Sequence, residues 1–380
     1  MHDFVIVGAG LSGCVLAEHL ANAGNKVLLL EKRSHIAGNA YDYYDDNGVL
    51  VHKYGPHIFH TSNEDVWAYL SQFTEWHKYH HEVNASVDGK LIPLRFNLNS
   101  IEIVFPDKSQ LIREKLINAY GMESTVSVME LMNNPDLDLK ALGDFLYDKI
   151  FVNYTLKQWG MKLDELDPAV AARVPIAITY KDGYFNHKYQ ALPLSGYTSL
   201  CENMLKNPNI DLRLNTDFFS LFSFSCEGKI FQGDAEFLGK LIYTGEIDHF
   251  FNYKYGELPY RSLEFIFENH SIDSYQGVAV VNYPNEFDFT RITEFKKMTG
   301  QNVESTTIIK EYPKVFKRGC ELIPYYPIPK DEFKGLYRMY EVESKKLDRS
   351  FFIGRLAEYK YYDMDQIVAN AMNLANELIT

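Results

Sequence analysis

The N-terminal segment contains the pattern that most constrains the fold of this chain. A short apolar run, Asp3 to Val7, leads into Gly8-Ala9-Gly10-Leu11-Ser12-Gly13, and a second apolar run, Lys26 to Glu31, follows. A dinucleotide-binding βαβ unit typically has a glycine-rich turn between a buried strand and a helix, and an acidic residue at the end of the next strand. The sequence therefore predicts a parallel, Rossmann-like sheet that starts near the N-terminus.

Each residue of this fingerprint has a physical reason. Gly8 permits the tight turn, Gly10 lets the backbone approach a pyrophosphate, and Gly13 lets helix and strand pack closely. The helix N-terminus, with Ser12 in its first turn, supplies unpaired N–H groups to phosphate oxygens. Glu31 is placed to accept both ribose hydroxyls, which disfavours a 2′-phosphate. Spacing alone leaves both NAD and FAD open as the ligand.

The composition argues against several classes of protein. The 380 residues carry a formal net charge of −13, which speaks against general nucleic-acid binding but allows an anionic small ligand held by a few arginines. The four cysteines form no CxxC pair, so we expect a reducing cytoplasm, no disulfides and no metal site. A strand begins within a few residues of Met1, and no apolar run reaches about 18 residues, so neither a signal peptide nor a membrane span is expected.

Two further segments favour FAD. The residues directly after Glu31, KRSHIAGNA, resemble the glycine-bearing segment that continues along FAD in the large flavoprotein group related to amine oxidases. The predicted strand Ser350 to Ile353, with Gly354-Arg355 and the helix predicted from Asp363 to Ile379, resembles the second FAD contact of that group. These resemblances imply that FAD is contacted by Lys32, Arg33, Gly38, Asn39, Gly354 and Arg355.

Three unusual strings point to a narrower family. They are GPHIFHT at Gly55 to Thr61, YTLKQWG at Tyr154 to Gly160, and GRLAEYKYYDMD at Gly354 to Asp365. In this order and near these spacings they resemble bacterial UDP-galactopyranose mutase, and the resemblance covers essentially the whole chain. It implies an α/β fold in which residues 1–80, 192–245 and 316–380 form a Rossmann-like FAD-binding domain. Residues 98–172 would then form an inserted helical domain, and residues 81–97, 173–191 and 246–315 a twisted antiparallel sheet.

The same resemblance implies a substrate site. Arg173, on a mobile loop, and Arg291 would hold the diphosphate, because a guanidinium binds phosphate oxygens bidentately and stays charged. Tyr154 would stack on uracil, with Trp159 lining the pocket. The remaining implied substrate contacts are Phe151, Thr155, Tyr184, Phe185, Arg261, Tyr325 and Tyr361.

A second set of residues is implied around the flavin ring. The loop that contains His57, Ile58 and His60 would lie near the isoalloxazine. Arg355 and Tyr361 would approach the ring, and Asp363 and Met364 would open the last helix beside it. Asp363 fits equally well as a helix N-cap.

The family's chemistry defines the implied cofactor and partners. Exchange of the pyranose and furanose forms of a UDP-linked galactose requires reversible cleavage of the bond between C1 and the diphosphate. In the family, N5 of reduced flavin attacks C1 covalently, so FAD must be reduced although the overall reaction is redox-neutral. UDP-galactose and UDP-galactofuranose are the implied substrates, NAD(P)H or another reductant reduces the flavin, and a homodimer is expected.

Three alternatives remain open at this point. An amine-oxidase-like FAD oxidoreductase would share the N-terminal fingerprint but would not need the phosphate-directed arginines. A mutase that also accepts UDP-N-acetylgalactosamine would differ only in pocket shape. A nucleotide-sugar binding protein with structural FAD would bind UDP without turnover.

Overall fold

The computed structural model describes residues 2–159, 175–225, 228–328 and 330–379, and the proposed contacts of Arg173 lie outside this part of the chain. The strands are β1 (Phe4–Val7), β2 (Val27–Leu30), β3 (Asp42–Tyr44), β4 (Leu50–His52), β5 (Phe59–Thr61), β6 (Trp76–Lys78), β7 (Val83–Val87), β8 (Lys90–Leu94), β9 (Thr125–Val126), β10 (Ile176–Ala177), β11 (Tyr189–Pro193), β12 (Ile210–Arg213), β13 (Phe222–Phe224), β14 (Ile230–Gln232), β15 (Ala235–Glu236), β16 (Lys240–Tyr243), β17 (Tyr260–His270), β18 (Val280–Asn282), β19 (Arg291–Glu294), β20 (Thr306–Val315), β21 (Tyr326–Pro327) and β22 (Ser350–Phe352).

The helices complete the described elements. They are α1 (Leu11–Asn22), α2 (Glu64–Leu70), α3 (Leu98–Val104), α4 (Ser109–Tyr120), α5 (Val128–Met132), α6 (Leu137–Leu146), α7 (Val152–Trp159), α8 (Gly196–Met204), α9 (Phe218–Leu221), α10 (Ile247–Phe250), α11 (Phe295–Thr299), α12 (Asp331–Ser344) and α13 (Met364–Ile379), with short 3₁₀ turns at Gly38–Ala40 and Pro106–Lys108 and a π turn at Tyr147–Phe151. None of the helices in these ranges is long and apolar enough to cross a membrane.

A five-stranded parallel sheet forms the first layer, in the order β12-β2-β1-β16-β22. The predicted Rossmann-like α/β class is therefore confirmed. Its central strands are continuous apolar runs because helices or loops cover both faces. Phe4 and Ile6 belong to the core shared with α1, α8 and α13, whereas Val5 belongs to a second core with Phe218 and Tyr243.

A seven-stranded sheet forms the second unit, in the order β21-β17-β20-β19-β18-β7-β8. The antiparallel arrangement implied by the resemblance holds for every pair except β7 and β18, which run parallel. Strand β21 pairs with β17, although it lies in the part of the chain that the resemblance places in the FAD-binding domain.

The helices α3 to α7 pack on one face of this sheet. Val83 and Ile92 of the sheet share one hydrophobic core with Ile112, Leu116 and Leu142 of the helices. Within the region that the resemblance implies to be helical, α6 begins at Leu137, where Asp136 caps it by accepting the N–H groups of Asp138 and Leu139. The helix then widens into the π turn before α7. Such turns are rare, and many lie at functional sites.

A distant side chain joins two parts of the parallel-sheet unit. The carboxylate of Asp42, which is buried, accepts the backbone N–H groups of Tyr197 (2.6 Å) and Thr198 (2.9 Å) in the first turn of α8. Burial raises the pKa of Asp42, and its hydrogen bonds to Thr198 and Tyr197 oppose that rise. The anion at a helix N-terminus also interacts favourably with the helix dipole.

We expect Asp42→Ala to lower the free energy of unfolding by roughly 2–3 kcal/mol, because hydrogen bonds to a buried charged group contribute about that much. Denaturant unfolding of the flavin-loaded protein at neutral pH measures the change. Asp42→Asn is the matched control, since its amide oxygen still accepts, and it should lose less. Equal stability of the alanine variant and the wild type would contradict this role of Asp42.

Candidate active site

A deep cleft opens at the carboxyl ends of the parallel strands. Its walls are built from the residues that directly follow β1, β2, β16 and β22, which is where open α/β sheets bind their ligands. The predicted cofactor residues that line it are Gly8, Gly10, Ser12, Glu31, Lys32, Arg33, Gly38, Asn39, His57, Gly354, Arg355 and Met364. The structure thus brings segments far apart in sequence to one cavity.

The fingerprint glycines have the geometry that a bound dinucleotide requires. Gly8 has a φ of +101°, a left-handed conformation that favours glycine. A Cβ atom on Gly13 would lie 1.9 Å from the carbonyl oxygen of Gly8, and one on Gly38 would lie 2.9 Å from the Cα of Gly10. Strand, helix and the segment after β2 therefore approach at backbone contact and leave a cradle of exposed backbone.

Glu31 braces this cradle. One carboxylate oxygen accepts the N–H of Ala9 and the other accepts the N–H of Arg33, both at 2.9 Å. The Arg33 guanidinium in turn donates to Asn39 (3.0 Å) and lies over the ring of Tyr54. Acceptance of ribose hydroxyls by Glu31 remains a prediction, but the carboxylate has a structural role in the same place.

Part of the cleft wall was not predicted from sequence. Thr216, Phe219, Tyr243, Thr244 and Glu246 line it, and Glu246 forms an ion pair with Lys32 at 3.8 Å. These residues follow β12 and β16, so only the topology of the sheet identifies them.

His57 enters the cleft from the loop before β5. The backbone N–H of His57 donates to Nδ1 of His52 (3.0 Å), and its backbone carbonyl accepts from the hydroxyl of Tyr197. In the side chain, Nδ1 of His57 lies 2.8 Å from the carbonyl of Gly55. Burial lowers the pKa of His57 to about 3, so the ring is neutral at physiological pH. The neighbouring Ile58 packs against the core below the seven-stranded sheet.

His60 belongs to a separate aromatic group. Its ring stacks on Phe185 at 3.8 Å between centroids, and its Nδ1 lies 3.0 Å from Nδ1 of His187. Burial lowers the pKa of His60, while Asp363 opposes that shift. His81 stacks on Phe185 from another side and contacts Tyr184 edge to face, so these rings form a continuous wall.

A polar group beside the seven-stranded sheet consists of Arg291, Tyr154 and Glu311, with Arg291 between the other two. Its Nη2 donates to the hydroxyl of Tyr154 (2.9 Å), and its Nε lies 3.5 Å from the buried carboxylate of Glu311. Burial opposes the charge of Arg291, but Glu311 and Tyr154 outweigh it and raise the pKa. This Nε is buried against Glu311 and has no hydrogen-bond partner within the described ranges, whereas 28% of the Arg291 side chain is exposed.

Tyr361 and Arg355 link this group to the cofactor cleft. The Arg355 guanidinium lies 4.9 Å from the ring centre of Tyr361 and 5.6 Å from that of Tyr326. Tyr326, which was not predicted, is half-buried near Arg291 and Glu311. The predicted Tyr325 points the other way, toward Phe265 and the cofactor cleft. Adjacent strand residues face opposite sides, so the sequence YY did not reveal which ring joins the site.

The remaining predicted site residues have these positions. Phe151 ends the π turn and is buried, as is Thr155 on α7. Arg261 is buried on β17, and its guanidinium donates to the carbonyl of Lys157 on α7. Trp159 is the last residue of α7, and its side chain lies outside the described part. Asp363 precedes α13, and its N–H donates to the side chain of Gln366 (3.0 Å).

The fold and the cleft define a dinucleotide-binding α/β protein in which a group of arginine and tyrosine side chains lies next to the cofactor cleft. A family model described as UDP-galactopyranose mutase matches residues 149–361, and one for a NAD(P)-binding Rossmann-like domain matches residues 6–73. The chain is 37% identical to a probable UDP-galactopyranose mutase of Klebsiella pneumoniae over 100% of its length and 95% of that protein. It belongs to the UDP-galactopyranose mutase family, which supports FAD as the cofactor.

Other relatives set the breadth of this family. The chain is 36% identical to a dTDP-fucopyranose mutase of Escherichia coli, with 99% of this chain and 98% of that protein covered. A crystal structure of reduced UDP-galactopyranose mutase matches with a TM-score of 0.72 at 16% identity, covering 100% of this chain and 96% of that one. A putrescine oxidase matches with a TM-score of 0.60 at 12% identity, covering 100% and 99%, so the fold is shared with amine oxidases.

We expect Gly13→Ala to abolish flavin retention, because the added Cβ would meet the Gly8 carbonyl at 1.9 Å. The flavin-to-protein absorbance ratio of the purified variant measures the loss. Gly335→Ala is the control, since Gly335 lies in α12 with open space at its Cβ position, and it should keep its flavin and gain about 0.5–1 kcal/mol in stability. Normal flavin content in Gly13→Ala would refute the close-packing argument.

Proposed function

We propose that this protein interconverts UDP-galactopyranose and UDP-galactofuranose while its FAD is reduced. The observation that carries this proposal is the half-buried Arg291, which donates to Tyr154 and lies near Tyr326, next to the cofactor cleft. An amine oxidase has no need of a phosphate-directed cation at that position. When bound and reduced, FAD supplies the electron-rich ring nitrogen that takes the anomeric carbon as UDP departs.

As UDP departs, negative charge develops on its diphosphate, and Arg291 with the neighbouring tyrosines would stabilise that charge. Arg291 is held by Glu311 on one side and by Tyr154 on the other, so its orientation is fixed before substrate binds. Preorganised donors of this kind act where charge develops and need no reorganisation during reaction. Arg173 would add a second guanidinium. Tyr326 and Tyr361 add hydroxyl donors without additional charge.

The residues around Tyr154 also support a binding site for the uridine. Tyr154 accepts from Arg291, which leaves its hydroxyl proton available, while its ring and the buried Thr155 offer a surface for the base. An aromatic surface suits a nucleobase, with stacking of about 1–3 kcal/mol per base in nucleic-acid complexes. By the resemblance, Tyr184 would reach the diphosphate and Phe185 would complete the uridine site. Closure by the Arg173 segment would exclude water from the activated sugar.

The identity of the sugar nucleotide is part of the proposal. UDP-galactose is the favoured substrate, but the Escherichia coli dTDP-fucopyranose mutase is nearly as similar to this chain as the Klebsiella protein. The dithionite-reduced protein should therefore be assayed with UDP-galactofuranose, dTDP-fucofuranose and UDP-N-acetylgalactofuranosamine. The highest kcat/KM with UDP-galactofuranose is the expected result. Strictly oxidised protein should be inactive, and activity there would contradict the proposal.

We further propose NAD(P)H or another small reductant as the electron source, a homodimer, and a cytoplasmic location. The buried thiols Cys14 and Cys201, which form no disulfide, support the reducing compartment. Anaerobic flavin bleaching by NADPH and light scattering of the holoenzyme test the first two.

We expect Arg291→Ala to lower kcat by about a hundredfold to a thousandfold while flavin stays bound, as for removal of one preorganised donor from a developing anion. Arg173→Ala should have a similar effect. Arg213→Ala removes only an exposed ion pair with Asp211 at the sheet edge and serves as the control. Near-normal turnover by Arg291→Ala, measured by chromatographic product formation, would remove this residue from the mechanism.

A further inference from the structure

The segment from Tyr180 to Asn186 carries part of the aromatic wall described above, Tyr184 and Phe185, but belongs to none of the described strands. A wall of this kind requires other anchors, because no ladder of backbone hydrogen bonds fixes it. On the pocket side, the N–H of Tyr184 donates to the carbonyl of His81 at 2.8 Å. On the opposite side, the segment is held by side chains at the start of α3.

Asn97 is the centre of that anchor. It is fully buried, and its amide oxygen caps α3 by accepting the N–H groups of Asn99 (2.8 Å) and Ser100 (3.1 Å). Its amide nitrogen points the other way and donates to the carbonyl of Lys181 (3.1 Å) and to the carboxylate of Asp182 (2.7 Å). One side chain thus shapes the helix with its oxygen and holds the wall segment with its nitrogen.

Two neighbouring contacts act in the same direction. The amide nitrogen of Asn99 donates to the carbonyl of Tyr180 (3.0 Å) and to the same oxygen of Asp182 (3.1 Å). Arg95 donates to the side chain of Asn186 at 2.7 Å, at the far end of the segment. Asp182 therefore receives two amide donors, and its carboxylate is the point at which the wall segment is fixed to the helical unit.

We propose that the Asn97–Asp182 pair is a positioning element that holds Tyr184 and Phe185 against the substrate during turnover. This inference rests on the proposed function, since it assigns the wall to the nucleotide sugar. Tyr184 interacts electrostatically with both Arg291 and Tyr154, which are assigned to the nucleotide. Loss of the pair should therefore weaken UDP binding as well as turnover. A displacement of about 1 Å at a positioning group can lower the rate up to a hundredfold.

Asn97→Asp separates the two roles of Asn97. Aspartate caps a helix as well as asparagine does, so α3 should be preserved. The amide donor is lost, and two carboxylates now face each other, which is unfavourable. We expect kcat to fall at least about tenfold and the Kd for UDP to rise at least about threefold. The exchanged double variant, Asn97→Asp with Asp182→Asn, restores a donor and an acceptor in reversed order and should recover kcat to within about threefold.

A readout independent of turnover distinguishes this proposal from the proposed function. Hydrogen exchange of the peptide containing Tyr184 and Phe185 should accelerate in Asn97→Asp and slow again in the double variant. Failure of the wild type to convert any nucleotide sugar would refute the proposed function, whereas the exchange data would still test the pair.

The control is Lys181→Gln, which removes an exposed ion pair with Glu123 from the same segment and should leave kcat unchanged. Rates are expressed per flavin-loaded molecule. Unaltered kcat and exchange in Asn97→Asp would overturn the proposal. Equal impairment of the single and the double variant would overturn it as well, because it would show that Asn97 acts without Asp182.

Discussion

The close approach of α1 to β1 is the constraint on which the rest of the molecule depends. With the Cβ position of Gly13 only 1.9 Å from the Gly8 carbonyl, these backbones meet without any side chain between them. That contact turns the helix N-terminus toward the ends of the parallel strands and leaves the N–H groups of its first turn facing the cleft. Glu31 holds the same turn from the neighbouring strand, so cradle and sheet are set together.

The second unit supplies what the parallel sheet lacks. The cofactor cleft lies at the ends of the parallel strands, whereas Arg291 lies on the seven-stranded sheet and Tyr154 on a helix beside it. The hydrogen bond from Arg291 on β19 to Tyr154 on α7, together with the contacts of α7 with β20, joins this helix to the sheet.

Local patterns predicted those parts of the fold that are themselves local. The strands β1, β2 and β22 and the helices α1 and α13 follow from apolar runs, glycines and helical periodicity. Strand β12 was missed because only Ile210 and Leu212 are apolar in its four residues, and its place at the sheet edge exposes the rest. The parallel pair β7 and β18 joins strands almost 200 residues apart, so no short-range signal exists for it.

The site shows the same division. The fingerprint residues and Arg355 line the predicted cleft, whereas Tyr326, Glu311 and Thr244 became visible only in three dimensions. The rings of Tyr325 and Tyr326 lie on opposite sides of the backbone, and the pairing of β21 with β17 determines which ring faces the site. Glu311 carries no motif, because its role depends on its position opposite Arg291 in the ladder of β19 and β20.

Local charge, rather than net charge, governs the choice of ligand. The chain is acidic overall, with a formal net charge of −13, and yet the proposed substrate is a dianionic diphosphate. Distant surface charges are screened over about 8–10 Å, whereas a half-buried guanidinium is screened much less. Glu311 offsets the cost of removing part of Arg291 from water through the ion pair with its Nε at 3.5 Å. The guanidinium also donates to Tyr154, and 28% of the side chain is exposed. A guanidinium that is paired on one side and partly exposed keeps its charge in the site and remains accessible to the proposed phosphate.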